Sequence, residues 1–189
     1  MYGSFKNSYS LIISEIQGII SKVSEKEVND SIDRIVNGKN IFLVGAGRMG
    51  IILQSFSMRL LHLGFNSYIV GSINCPPISS EDILIVASSS GETSSVKVIV
   101  EIAKRYNADI ITITANPEST IAKLSSRVVF LPATSTIKTT KDSFSISKQP
   151  MKTLFEQSLF ILLESMVLQA MDHTKQKADD LAKRHTNLE

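Results

Sequence analysis

Apolar residues at Tyr9, Ile12, Ile16, Ile19 and Val23 recur every three or four positions, the spacing of one face of an α-helix. The "SEKE" at 24–27 reads as a capping box opening a second helix, with Val28, Ile32 and Ile35 pointing inward. The period then changes. "IFLV" at 41–44 is an unbroken apolar run of strand length, and such runs suit a parallel strand covered on both faces. From there strands and helices alternate. A helix over 49–63, stopped by Gly64, leads to a strand at 67–70. A third strand at 82–88 precedes a helix over 94–106. A fourth at 108–114 precedes a short helix after Pro117, and a fifth strand occupies 127–132.

Repeated strand–helix–strand units predict right-handed crossovers and an open parallel sheet between two helical layers. The expected fold is α/β: a three-layer sandwich with a five-stranded parallel sheet in flavodoxin-like order, extended by N- and C-terminal helices. One domain over 1–189 accounts for the chain, since no repeat or linker marks a second. Residues 133–149 are polar and rich in hydroxyls, and a loop of that length inside a compact domain is usually functional or mobile. Pro150 then opens an apolar helix over 154–171, and a charged terminal helix ends in "AKRHTNLE".

Composition narrows the function classes. With 189 residues, 43% hydrophobic and 20% charged, the chain can bury one core of ordinary size. A formal net charge of +2 argues against nucleic acid as a partner. The single cysteine, Cys75, rules out an intramolecular disulfide and fits a reducing compartment. The opening "MYGSFKNSYSLIISEIQG" lacks the basic, apolar and small-residue order of a signal peptide. Glu156, Gln157, Glu164 and Gln169 make the most apolar helix too polar for a membrane span. The expectation is a cytoplasmic protein with no membrane partner.

In an open parallel sheet, ligands bind beyond the carboxyl ends of the strands, near the point where strand order reverses. The loops expected there are "GAGRMG" at 45–50 and "SSSGET" at 88–93. In the second, Ser88, Ser90 and Thr93 supply hydroxyls, and Gly91 lets the backbone approach a ligand closely. The start of the next helix adds unpaired N–H groups and the positive end of its dipole. A helix cap needs only one such residue. The surplus points to a phosphate cradle built from hydrogen bonds, without lysine or arginine. The first loop has G-x-G-x-x-G spacing, but the acidic residue that a dinucleotide site needs about 20 positions later is absent from "GSINCPP". No nicotinamide cofactor is expected. Arg48 reads either as a cation beside a sugar phosphate or as a surface residue at a helix start.

Of the three histidines, His62 reads as structural, inside an apolar helix, and His173 as a ring near a helix end. His185 lies in a charged tail. None has metal-ligand spacing with Cys75 or a carboxylate, so no metal is expected. Glu156 is the anomaly of an otherwise apolar helix: it must face solvent, pair with a cation or line a cavity. Lys152, four residues earlier, is the local candidate, in the poorer orientation for a helix. The apolar breadth of that helix also suggests a subunit interface.

Taken together, "GAGRMG", "MRLLHLGF" and "SSSGET" resemble a sugar isomerase (SIS) domain, and "PMKTLFEQSLFILLE" with "KRHTNLE" resembles the 6-phospho-3-hexuloisomerase family. The resemblance covers nearly the whole chain. It implies a cofactor-free isomerase interconverting D-arabino-3-hexulose 6-phosphate and fructose 6-phosphate through a cis-enediol, and a homotetramer with active sites shared between subunits. By motif, Ser88, Ser90 and Thr93 would hold the phosphate, with Gly91 at the turn, and Arg48 with Gly47 would border the sugar. Glu156 would move a proton between adjacent carbons, a task suited to a carboxylate in apolar surroundings. His185, from a neighbouring subunit, would exchange protons with the sugar oxygens. Three features depart from the family pattern: Met49 stands where serine is usual, "GSINCPP" replaces a threonine-rich stretch, and Lys152 replaces a glycine.

Overall fold

The computed structural model describes residues 3–133 and 147–188. Most of the polar stretch at 133–149, and with it the expectation of a functional loop there, lies outside the described residues. Helix α1 (Phe5–Ile20) starts four residues before the first patterned position, because the Ser4 hydroxyl accepts from the Asn7 N–H and caps it. Helix α2 (Glu25–Asn37) is capped by Ser24, whose hydroxyl accepts from the Glu27 N–H. The other half of the expected capping box is not made. Instead the Glu27 carboxylate accepts from the Phe130 N–H at 2.9 Å, tying α2 to the last strand.

The strands are β1 (Ile41–Gly45), β2 (Ser67–Ile69), β3 (Ile83–Ala87), β4 (Asp109–Thr114) and β5 (Arg127–Phe130). They pair in parallel in the order β2-β1-β3-β4-β5, as expected. Between them run α3 (Arg48–His62), α4 (Ser94–Arg105) and α5 (Thr120–Leu124), followed by α6 (Thr153–Thr174) and α7 (Ala178–Ala182).

The unbroken apolar strands serve two cores at once, because successive side chains point to opposite faces. Ile41, Leu43, Ile83, Ile85, Ile111 and Ile113 join the cluster with α1, α2, α3 and α6. Phe42, Val44, Leu84, Val86 and Ile110 join Val96 and Val100 of α4 and Ile121 of α5 on the other face. At the amino end of the sheet, Asp109 pairs with both Arg34 and Arg127. Burial works to raise that carboxyl, but the Arg34 and Ser126 hydrogen bonds and the charge of both guanidiniums outweigh it and hold it below the usual carboxylate range.

Two boundaries differ from expectation. Helix α6 begins at Thr153 rather than at Pro150, because Met151 takes a left-handed conformation (φ 56°) and turns the chain first. The charged terminal helix is only the five residues of α7. By length and composition alone α6 does qualify as a membrane span, contrary to the reading of its polar residues. Its apolar residues are used otherwise: Leu154, Phe155, Leu159, Leu162, Leu163 and Met166 are buried against the fold's own core.

Candidate active site

The register Gly45↔Ala87 sets the loops that leave β1 and β3 side by side. Gly47 caps α3 with φ 58° and ψ −131°, a backbone that side chains resist. A Cβ on Gly50 would lie 2.7 Å from the Gly45 carbonyl oxygen, so helix and strand approach closely only because neither carries a side chain there. The glycine spacing thus serves the turn and places Arg48 at the exit of β1.

In the neighbouring loop the hydroxyls hold the backbone in shape. Ser88 is 2% exposed; its Oγ accepts from the Gly91 N–H at 3.1 Å and lies 3.3 Å from Thr93 Oγ1. The Ser90 hydroxyl accepts from the Glu92 N–H at 3.3 Å. Thr93 is the N-cap residue of α4, yet its side chain makes no capping bond. The plain helix-cap reading of this loop therefore does not hold, and the first-turn amides of α4 take no side-chain acceptor from Thr93.

The loop is braced from β4 and α5 by residues that sequence patterning did not single out. The Ser89 carbonyl accepts from the Ala115 N–H, and Asn116 Nδ2 donates to the Ser90 carbonyl at 3.3 Å. Glu92 caps α5, accepting from the Thr120 N–H at 2.7 Å, and this bond holds its carboxyl below the usual range. Gly91 has φ 63°, and a Cβ there would meet Ser119 Oγ at 1.9 Å.

Glu156 sits in the first turn of α6, 8% exposed. Its partner is not Lys152 but Arg48, whose Nε donates to the carboxylate. Both line a hollow of about 280 Å³ walled by Ile12 and Ile16 of α1 and Ile52 of α3, with Gln157 beside them and Phe160 and Ile161 at its edge. Two of the three options open to Glu156 are thus realised together: it pairs with a cation and lines a cavity. The chain leading into α6 is fixed from α1. There the Glu15 carboxylate accepts from Ser147 Oγ (2.7 Å), the Lys148 N–H (2.9 Å) and Gln149 Nε2 (2.9 Å). A second hollow, of about 340 Å³ and bordered by Asp30, Arg34 and Arg127, opens at the amino end of the sheet, where both arginines are committed to Asp109.

His185 lies elsewhere. Arg184 donates to the His62 carbonyl (2.9 Å) and to Gln176 Oε1 (2.7 Å), and Gln176 Nε2 donates to the Leu63 carbonyl (2.9 Å). These bonds dock the tail on the carboxyl end of α3 and set the His185 ring 5.2 Å from that of His62. His62 is 5% exposed, in line with a structural role. Burial first, then His185 and Arg59, push its pKa down. Arg48 and Glu156 stand at the other end of α3, about 20 Å away at 1.5 Å per residue. One chain therefore brings Arg48, next to Gly47, together with Glu156, while the loop of Ser88, Ser90, Gly91 and Thr93 leaves the adjacent strand and His185 stands apart. His173 Nδ1 contacts Asp33 at 3.3 Å. Among the described residues no group of three His, Cys, Asp or Glu side chains is placed to hold a metal ion.

The sequence model of the SIS domain matches residues 34–164. The chain belongs to the SIS domain family. Its curated relatives include the 3-hexulose-6-phosphate isomerase of Mycobacterium gastri, 39% identical over 97% of this chain and 90% of that protein. The 3-hexulose-6-phosphate isomerase of Bacillus subtilis is 34% identical over 94% of this chain and 95% of its own length. Among solved structures, a hypothetical protein of Methanococcus jannaschii superposes with a TM-score of 0.82 at 32% identity, covering 96% of this chain and 99% of that one. Its structure infers a function of 3-hexulose-6-phosphate isomerase. The SIS fold expected from the motifs is the fold observed.

Proposed function

We propose that the protein is a 6-phospho-3-hexuloisomerase that interconverts D-arabino-3-hexulose 6-phosphate and fructose 6-phosphate without a cofactor. The observation that carries this reading is the buried Glu156 carboxylate. It is ion-paired to Arg48 in an apolar hollow beside a hydroxyl-rich loop, in a chain whose relatives of nearly equal length bear that name.

The reaction moves a carbonyl from C3 to C2. Glu156 removes the proton on C2, the C2–C3 enediol forms, and the same carboxyl returns the proton to C3. The O2 hydroxyl loses a proton as O3 gains one, and a histidine titrates in the range needed for that exchange. His185 takes this role from a neighbouring subunit of a homotetramer, since within one chain it stands at the far end of α3. Ser88, Ser90, Thr93 and the start of α4 bind the phosphate, with Gly91 shaping the turn. That contact supplies binding energy remote from the reacting carbons. Arg48 and Gly47 border the sugar.

The test is a coupled assay of the purified protein with 3-hexulose 6-phosphate, following fructose 6-phosphate. Turnover is expected. Binding of fructose 6-phosphate without any turnover would overturn the enzymatic reading and leave a sugar-phosphate-binding module.

A further inference from the structure

Gln157 follows Glu156 and lines the same hollow. Its carboxamide oxygen is fully buried and accepts no hydrogen bond. Turning the amide over would only exchange a buried orphan acceptor for a buried orphan donor. An unsatisfied buried polar group is costly, and native proteins hold few of them without a specific reason. The contrast with its neighbour is informative: Glu156 also carries a buried polar head, and Arg48 meets it. Ser158 carries a second orphan, but it does not border the hollow, so nothing entering there could satisfy it.

We propose that Gln157 is a substrate-binding residue whose carboxamide takes a hydroxyl group of the polyhydroxy phosphate ester in the hollow. This rests on the reading of that hollow as the site of phosphosugar chemistry, and adds a specificity contact to it. A sugar hydroxyl both donates and accepts, so it satisfies either end of the amide once the half-buried side chain turns its head from that sealed position into the hollow. Residues 156 and 157 lie about 100° apart on α6, so base and amide reach the ligand from one helical turn. With apolar walls around it, a bond formed there is desolvated, and losing it leaves a sugar hydroxyl unpaired as well.

The experiment uses Gln157→Met, which keeps the length of the side chain and removes its polar end. Thermal unfolding, calorimetric binding of fructose 6-phosphate and steady-state turnover are measured on the full chain. The expected result is a melting temperature equal to or above that of the unsubstituted protein, with fructose 6-phosphate bound at least tenfold more weakly and kcat/KM reduced at least tenfold. Affinity and turnover within twofold of the starting values would overturn the proposal, whatever happens to the melting temperature. So would a change of oligomeric state with affinity per assembled site retained, which would assign the amide to a subunit contact. Glu156→Gln separates this from the parent reading. Full turnover by that variant removes the base role, whereas the Gln157→Met effect on fructose 6-phosphate binding is decided independently of it.

Discussion

Arg48 and Glu156, 108 positions apart in the chain, form an ion pair that joins the first residue of α3 to the first turn of α6. The partners are unequally exposed: the Arg48 side chain is 67% accessible and that of Glu156 10%. The carboxylate is the fixed member and the guanidinium the one free to swing toward a ligand. A buried charge stripped of its partner is costly, so Arg48 is what makes a carboxylate tolerable in an otherwise apolar hollow.

Glu156→Gln is expected to cut turnover by about 10²–10⁴-fold, the usual worth of a general base. The melting temperature should change little, because the amide keeps the shape and removes the charge that needs compensation. Arg48→Met should instead lower stability by about 1–3 kcal/mol, leaving Glu156 buried and unpaired. Adding Glu156→Gln to Arg48→Met should then restore most of that loss. Strictly additive effects in thermal unfolding would show that the pair carries no coupling.

The loop after β3 depends on a backbone that only glycine supplies at one point. Gly91→Ala places a Cβ 1.9 Å from Ser119 Oγ at a φ of 63°, which combines a clash with a strained conformation worth about 1–3 kcal/mol. KM should rise tenfold or more as the Ser88–Gly91 turn opens, alongside a lower melting temperature. Ser119→Gly in the same chain should relieve the clash but not the strain, recovering part of both. Unchanged KM in Gly91→Ala would remove this turn from substrate binding.

These contacts mark how far the chain could be read unaided. The five strands were legible as short apolar-rich segments alternating with helical patterns, unbroken in β1 and β3, and the repeated crossovers fitted the flavodoxin-like order. Glu156 was legible as a charge in apolar company, but Arg48 was not, since helix spacing reaches only four residues and the true partner is 108 away. Glu27 shows the same limit in reverse. Its local capping partner was available, yet the distant Phe130 N–H takes the carboxylate. The hydroxyls of 88–93 stood out by composition, whereas their bracing by Ala115 and Asn116 depends on the β3–β4 pairing and left no local mark. Gln157 left only a weak one, a polar residue directly after another in an apolar helix.

Glu15 holds the chain just before α6, so the placement of Glu156 should depend on pH through it. Burial works to raise the Glu15 carboxyl, but its bonds to Lys148, Gln149 and Ser147 outweigh burial and hold it below the ordinary value of 4.5. A depressed folded-state pKa means stabilisation that is fully present above the unfolded value and lost as pH falls through the folded one. Thermal unfolding of the wild type and Glu15→Gln should therefore differ most near neutrality and converge as pH drops below about 4.5. A gap that stays constant from pH 7 to pH 3 would mean that the anchor does not depend on ionisation.

His185 is docked on His62 by the Arg184 and Gln176 bonds, about 20 Å from the Arg48 end of the same helix. In the proposed mechanism it acts on another copy's hollow. Glu156→Gln and His185→Ala subunits, each inactive alone, should regain activity when mixed and reassembled, because a fraction of sites then pairs an intact Glu156 with an intact His185 from the neighbour. For random mixing of equal amounts about a quarter of the sites qualify, given that each such site needs two independent intact contributions. Mass spectrometry of the mixed oligomers establishes that exchange has occurred. Mixed assemblies that stay inactive would count against sites shared between subunits.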